Sequence, residues 1–172
     1  MEDKEIRFTE TYSISKAGDS EELCQITFDV RNFYSTKDNL FVSEVRVEHS
    51  GHNPLIEHFK FQVFNGQVNT FHIEDFILPE RLRGFRIGMF VLNKVYGLLS
   101  DEVKRAAPRV GGTLVAQDNK PNRDRMYQRL IGDDIQHPLA RFDVDKNGEG
   151  YFSGVFLDVG ESWKQSITAK EI

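Results

Sequence analysis

Hydrophobic and polar positions alternate with a period of two through much of the first 66 residues. In His58–Phe64, Phe59, Phe61 and Val63 fall on one side and His58, Lys60 and Gln62 on the other. Cys24–Phe33 repeats the pattern with Ile26, Phe28 and Val30, and Leu40–Ser50 repeats it with Val45 and Val47. Successive side chains of a strand point to opposite faces, so these runs predict half-buried strands. Gly51-His52-Asn53-Pro54 and Asn65-Gly66 separate them with turn-forming residues. A short-linked antiparallel meander follows. Lys16–Glu22 reads as a loop or a brief helix.

Beyond residue 66 the period changes. Val68–Leu78 is a further strand, with Phe71, Ile73 and Ile77 on one face. From Gly88 to Val103, Leu92, Val95, Leu99 and Val103 recur every three or four residues, which is one face of a helix. Gly97 weakens that helix by about 1 kcal/mol relative to Ala and marks close packing. Val110–Asn119 reads as a short apolar strand. Asn119–Gly132 reads as a helix with Asn119 as N-cap, Pro121 in its first turn and Gly132 as its stop. Ala140–Asp145 and Tyr151–Val159 are two final strands joined at Asn147-Gly148, and the polar tail 160–172 is peripheral. The meander is thus followed by strand–helix–strand–helix–strand–strand. This order predicts an α+β fold: a mixed, mostly antiparallel sheet with two helices packed on it, in one domain spanning 1–172 with a strand-rich N-terminal part, 1–66.

Composition narrows the class. Of 172 residues, 39% are hydrophobic and 28% charged, and 14 are Phe, enough for a substantial core in a globular protein. No apolar run reaches the roughly 18–20 residues of a membrane helix, and the start MEDKEIRFTE has no apolar leader segment. Cys24 is the only cysteine, which fits a reducing, cytoplasmic compartment. The net charge of −5 argues against general nucleic-acid binding. Edge strands of the meander can pair between chains, so a homodimer is one expected assembly.

One stretch runs against the acidic balance. Between the strand ending near Leu78 and the helix beginning near Gly88 stand Arg81, Arg83 and Arg86, three positive charges against Glu80 alone. The first N–H groups of a helix lack partners within it, and its dipole adds roughly half a positive charge there. Gly84 and Gly88 let backbone approach a phosphate without an intervening Cβ. A strand, a glycine-containing loop and a helix start in this order form an anion site, and the arginines stand where a bound anion needs them.

Pro79-Glu80 followed by Arg83-Gly84-Phe85-Arg86-Ile87-Gly88 resembles the acyl-CoA pyrophosphate loop of the GNAT N-acetyltransferase superfamily. Its members commonly show a strand ending in Val-x-Pro-Glu, then Arg-Gly-x-Gly-Ile-Gly, then an apolar helix. A second element of the family, an Asn, a short helix, a Tyr and a Leu-Gly, resembles Asn119, Tyr127, Leu130 and Gly132 here. The resemblance covers residues 68–159. Arg86 stands at the family's middle glycine, one extra residue separates Pro79 from Arg83, and one flanks Tyr127 on each side. Strands occupy the region where the family places two acceptor-binding helices.

The resemblance implies acetyl-CoA, or another acyl-CoA, as cosubstrate and an amine of a small molecule or protein as acceptor. It places Ile77, Arg81, Arg83, Gly84, Phe85, Arg86, Ile87, Gly88 and Asn119 at the cosubstrate. The amine must lose a proton, and Glu74 and His72, on one face of the preceding strand, are the expected bases; Asp75 faces the other way. Tyr127 matches the tyrosine that protonates the departing thiolate in many members. A backbone N–H at Ile77 or Phe76 would meet the charge on the thioester oxygen. The rival reading is a noncatalytic module of the same fold that binds a protein partner or CoA; it follows from Arg86 and the missing acceptor helices. An open cleft near Glu74 and Tyr127 would favour the enzyme.

Two metal patterns compete with blander readings. Asp143, Asp145, Asn147 and Gly148 match the first half of a calcium loop, but Gly154 stands where a bidentate Glu belongs, and a hairpin turn at Asn147-Gly148 accounts for the same residues. His49, His52 and His58 span a turn with no cysteine beside them. The cations of the later helix, Lys120, Arg123, Arg125 and Arg129, read as a solvated face or as flanks of the phosphate site.

Overall fold

A computed structural model describes residues 4–50, 56–74, 76, 78–116, 120–132 and 135–172. Its first sheet has six strands: β1 (Glu5–Lys16), β2 (Glu22–Ser35), β3 (Leu40–His49), β4 (Ile56–Phe64), β5 (Gln67–Val68) and β10 (Ile167–Glu171), in the order β10-β1-β2-β3-β4-β5 and antiparallel throughout. The expected meander is its centre. Alternation sets the register: Cys24, Ile26, Phe28 and Val30 are buried while Gln25, Thr27 and Asp29 between them are not. Asn65 and Gly66, at φ 48° and 75°, form the two-residue turn that pairs Phe64 with Gln67. A turn with two positive φ values matches the twist of the flanking strands. Lys16–Glu22 contains a turn and no helix.

The second sheet has four strands: β6 (Thr70–Ile73), β7 (Arg109–Leu114), β8 (Arg141–Val144) and β9 (Gly150–Val155), in the order β6-β7-β9-β8. Among the described residues only β6 and β7 pair in parallel. Parallel neighbours need a crossover, and α1 (Ile87–Leu98) and α2 (Asp101–Arg105) lie within it. The third helix, α3 (Lys120–Ile131), follows β7. The fold is therefore α+β and mostly antiparallel, as expected, but the described residues form two sheets and three helices where the pattern implied one sheet and two helices.

Phe residues join the layers. Phe90 of α1 meets Phe28 and Tyr12 edge-on at 5.9 and 5.4 Å. Phe59 of β4 lies 4.5 Å from Phe71 of β6, and Phe61 stacks on Phe156 at 5.4 Å. Among the described residues no helix is long and apolar enough to cross a membrane.

Five expectations are corrected. The strand expected over Val68–Leu78 is two short ones. Val68 stays with β4, Asn69 donates from its backbone N to the Gln62 carbonyl at 3.1 Å, and the chain then leaves that sheet to start β6. The helix expected over Gly88–Val103 is broken at Leu99, which is extended (ψ 149°). Ser100 caps α2 by accepting from the Val103 N–H, and its own N–H donates to Ser43 Oγ at 3.0 Å. A capping serine ends one helix and starts another even though the apolar period runs through it. Gly97 is exposed, and a Cβ built there meets nothing within 4 Å, so it marks no close packing.

The tail is not peripheral: Trp163 and Ile167 are buried, and β10 completes the edge of the first sheet. The apolar strand expected over Val110–Asn119 ends at Leu114.

Burial has a chemical consequence at Cys24. Desolvation pushes its thiol up to about 11, against the nearby Arg81 charge, which pulls the other way. The folded state holds the thiol neutral where an unfolded chain would ionise it. That stability is fully present below pH 9, the ordinary thiol value, and is lost as pH rises toward 11. Urea melts between pH 8 and 11 are expected to show a shallower alkaline decline in Cys24→Ala than in the parent. An identical slope in both would sink this assignment.

Candidate functional site

The pairing of β6 with β7 runs from Thr70↔Arg109 to Ile73↔Gly112 and stops, while β7 continues against β9 as far as Leu114↔Gly150. Past Ile73 the chain turns away through Phe76 and Leu78 into a single 3-10 turn, Glu80–Leu82, and the loop that opens α1. The space left between the diverging strands is a cavity of about 590 Å³. Ile73, Phe76 and Leu78 wall it on the β6 side, and Thr113, Leu114 and Val115 on the β7 side. The start of α1 and the first turns of α3 face it, and Ser166 of the C-terminal segment closes part of the rim.

Topology dictates this location. The cavity lies at the C-terminal ends of two parallel strands, each followed by a helix whose N-terminus returns to the same end. Open α/β sheets bind ligands in such crevices. The first backbone bond of α1 joins the Phe90 N–H to the Arg86 carbonyl at 3.1 Å, so the N–H groups of Ile87, Gly88 and Met89 precede the helix's own bonding. Neither α1 nor α3 carries an acidic residue in its first turn.

The wall is charged in one sense. Arg83, Arg86, Arg123, Arg125 and Arg129 line the cavity, and among the described wall residues there is no Asp, Glu or His. Arg83, Arg86, Arg125 and Arg129 are exposed and form the rim, whereas Ile73, Leu82, Ile87, Met89 and Leu114 are buried and form an apolar floor. A charged mouth over an apolar floor suits a ligand with an anionic head and an apolar arm.

The loop arginines have separate tasks. Arg81 is off the wall; its Nη1 donates to the Leu23 carbonyl at 3.0 Å and ties the loop to the start of β2. Arg83 donates from Nε to the Leu78 carbonyl at 2.9 Å, which anchors its stem while it lines the cavity. Arg86 caps α1 in the left-handed region (φ 62°, ψ 25°) and donates from Nη1 to the Ser162 carbonyl. A non-glycine residue there costs about 1 kcal/mol. The backbone at this position keeps a conformation natural to glycine. Among the described residues none of the three makes an ion pair.

Gly84 (φ 82°) is exposed with no heavy atom within 4 Å of a Cβ built there, so its backbone is open to a ligand. Gly88 serves packing as well: a Cβ there would stand 2.8 Å from the Met126 sulfur, so the missing side chain lets α3 lie over the start of α1. Tyr127 is buried on the wall, its ring stacked on Phe152 at 4.3 Å and 23°.

Of the residues singled out from sequence, Arg83, Gly84, Arg86, Ile87, Gly88 and Tyr127 are thus brought together. Phe85 is not on the wall; it is half-buried beneath the Lys16 ammonium, 5.2 Å from the ring centre. His72 and Glu74 are exposed and off the wall: His72 lies within β6 but alternates with Ile73, which lines the cavity, and Glu74 lies just beyond the strand. Asp75, Ile77 and Asn119 lie outside the described residues.

Arg123 departs from the solvated reading of its helix. It is buried and donates from Nη2 to the Gly148 carbonyl at 2.8 Å and from Nη1 to the Val115 carbonyl, so it clamps α3 to the end of β7 and to the β8–β9 hairpin. Thr113 and Ser166 went unnoticed in the sequence; only the strand register and the return of the C-terminal segment place them on the wall.

The Asp143–Gly148 pattern is a hairpin turn: Asp145 accepts the Asn147 and Glu149 N–H groups on one carboxylate oxygen, at 2.8 and 3.1 Å. His49 is buried on β3, His58 is exposed on β4, and His52 lies outside the described residues. Among the described residues no three His, Cys, Asp or Glu side chains are placed to hold a metal ion.

The fold and site define an α+β protein with an arginine-rimmed cavity at the ends of its parallel strand pair. Comparisons with protein families, curated proteins and solved structures give no match.

Proposed function

We propose that the chain is an acyl-CoA-dependent N-acetyltransferase that binds its cosubstrate in the β6–β7 cavity. The observation that carries this reading is the wall itself: five arginines and no carboxylate among its described residues, around the glycine loop and Tyr127. Arg83, Arg86 and the N–H groups from Gly84 to Gly88 hold the phosphates. The acyl arm lies over the apolar floor, with the thioester in the gap between β6 and β7.

An acceptor amine attacks the thioester carbonyl carbon; a C–N bond forms, the C–S bond breaks and the electron pair leaves with sulfur. Tyr127 gives its phenolic proton to the thiolate and regains one from water. The proton on the new amide nitrogen leaves toward Glu74 and His72 at the end of β6, through water. The cavity is open at Tyr127, which favours the enzyme over the filled cleft of a binding module, while Glu74 stands off its wall.

The test is thiol release from acetyl-CoA across a panel of small amines and peptides. Tyr127→Phe is expected to lower kcat about 10- to 100-fold with little change in KM for acetyl-CoA. Unchanged turnover in that variant would remove Tyr127 from the chemistry. One observation favours a second reading, a noncatalytic CoA-binding module: the candidate bases Glu74 and His72 stand off the cavity wall. Tight cosubstrate binding with no thiol release from any acceptor would establish it.

A further inference from the structure

We infer that Gln165, in the C-terminal 3-10 turn Ser162–Gln165, is a positioning residue that holds Arg86 ready to take an oxyanion of the ligand in two-point contact. The inference rests on the cavity being an anion site, as proposed above.

A guanidinium carries five N–H groups in a rigid planar fork. The two hydrogens of Arg86 Nη1 face two acceptors, the Ser162 carbonyl at 3.0 Å and Gln165 Oε1 at 3.2 Å. Among the described residues nothing engages Nε or Nη2. Those two atoms form one edge of the fork, the edge that takes a carboxylate or phosphate through two parallel bonds. Arg86 lines the cavity, and Ser166, next to Gln165, lines it too.

The turn that supplies the acceptors is itself fixed to α1. Trp163 is buried, lies 4.9 Å from Phe90 and donates from Nε1 to Asn93 Oδ1 at 3.0 Å. Phe90 and Asn93 belong to the helix that Arg86 caps. The path from α1 through Trp163 and Gln165 back to Arg86 is therefore closed. A long side chain so held has already given up rotamer freedom that it would otherwise lose on binding. The ligand class is a di- or monophosphate ester, and its binding depends on a segment far from the loop in sequence.

Calorimetric titration of the full chain with CoA, repeated with inorganic pyrophosphate, tests this in four proteins: the parent, Arg86→Ala, Gln165→Met and the double variant. Gln165 is exposed, and Met keeps its length without its acceptor, so the fold should persist; equal melting temperatures check this. The expected result is a loss of about tenfold or more for Arg86→Ala and a smaller loss, about threefold, for Gln165→Met. The double variant should bind no worse than Arg86→Ala alone, because Gln165 acts through Arg86.

Unchanged affinity in Gln165→Met, or the same loss in both backgrounds, overturns the inference while leaving the cavity reading intact. Unchanged affinity in Arg86→Ala overturns it as well. Failure of the parent to bind either probe at millimolar concentration overturns both.

Discussion

Trp163→Ala is expected to cost the fold about 3–5 kcal/mol, although Trp163 stands in a tail that reads as polar. The indole is 4% exposed and sits edge-on to Phe90. Phe90 also meets Tyr12 and Phe28, so the indole belongs to the central cluster between α1 and the six-stranded sheet. Truncation to Ala removes the largest apolar side chain and leaves a cavity that a closely packed core fills only in part. It also removes the hydrogen bond to Asn93 Oδ1, whose side chain otherwise bridges to Asp158 at 2.9 Å. Urea denaturation measures the cost directly. A loss below about 1 kcal/mol would mean that the C-terminal segment is not part of the core.

A variant carrying Arg83→Ala with Arg86→Gly is expected to bind acetyl-CoA about 100-fold more weakly than the parent, because each arginine removed takes away a charge-assisted hydrogen bond worth about tenfold. Its stability should change far less. Gly relieves the left-handed conformation of Arg86 by about 1 kcal/mol, which offsets the lost bonds to Ser162 and Gln165. Affinity and stability thus move separately, which separates ligand contacts from structural ones. Titration calorimetry and thermal melts on the same samples read both. Retention of parental affinity would show that these arginines serve the loop alone, as Arg81 does through Leu23.

Much of this architecture was visible in the residues themselves. Phe59, Phe61 and Val63 state their strand and its face, and Asn65-Gly66 states its turn. The strand, loop and helix order around Arg83 to Gly88 read as an anion site from its own residues, whereas joining the Tyr127 helix to it rested on the family resemblance. What escaped depended on distant partners. Strand β10 is Ile-Thr-Ala-Lys-Glu, with Ile167 as its only buried residue; an edge strand open to solvent needs little apolar patterning. The break at Ser100 carried a local signal, Ser before Asp-Glu, but Leu99 and Val103 kept the helical period across it. His72 alternates with the wall residue Ile73 and so faces away from the cavity, and Glu74 lies past the early end of β6. The tasks of Arg86 depend on Ser162 and Gln165, more than 70 residues away, and nothing local announces that contact.

We propose that the arginine-rimmed space between β6 and β7 holds an acyl-CoA. Isothermal titration of the parent protein with acetyl-CoA tests it most directly. Saturable binding in the micromolar range, about −8 kcal/mol, is expected, weakening as salt is raised because exposed arginines supply the contact. No heat and no thermal shift at millimolar acetyl-CoA would contradict it.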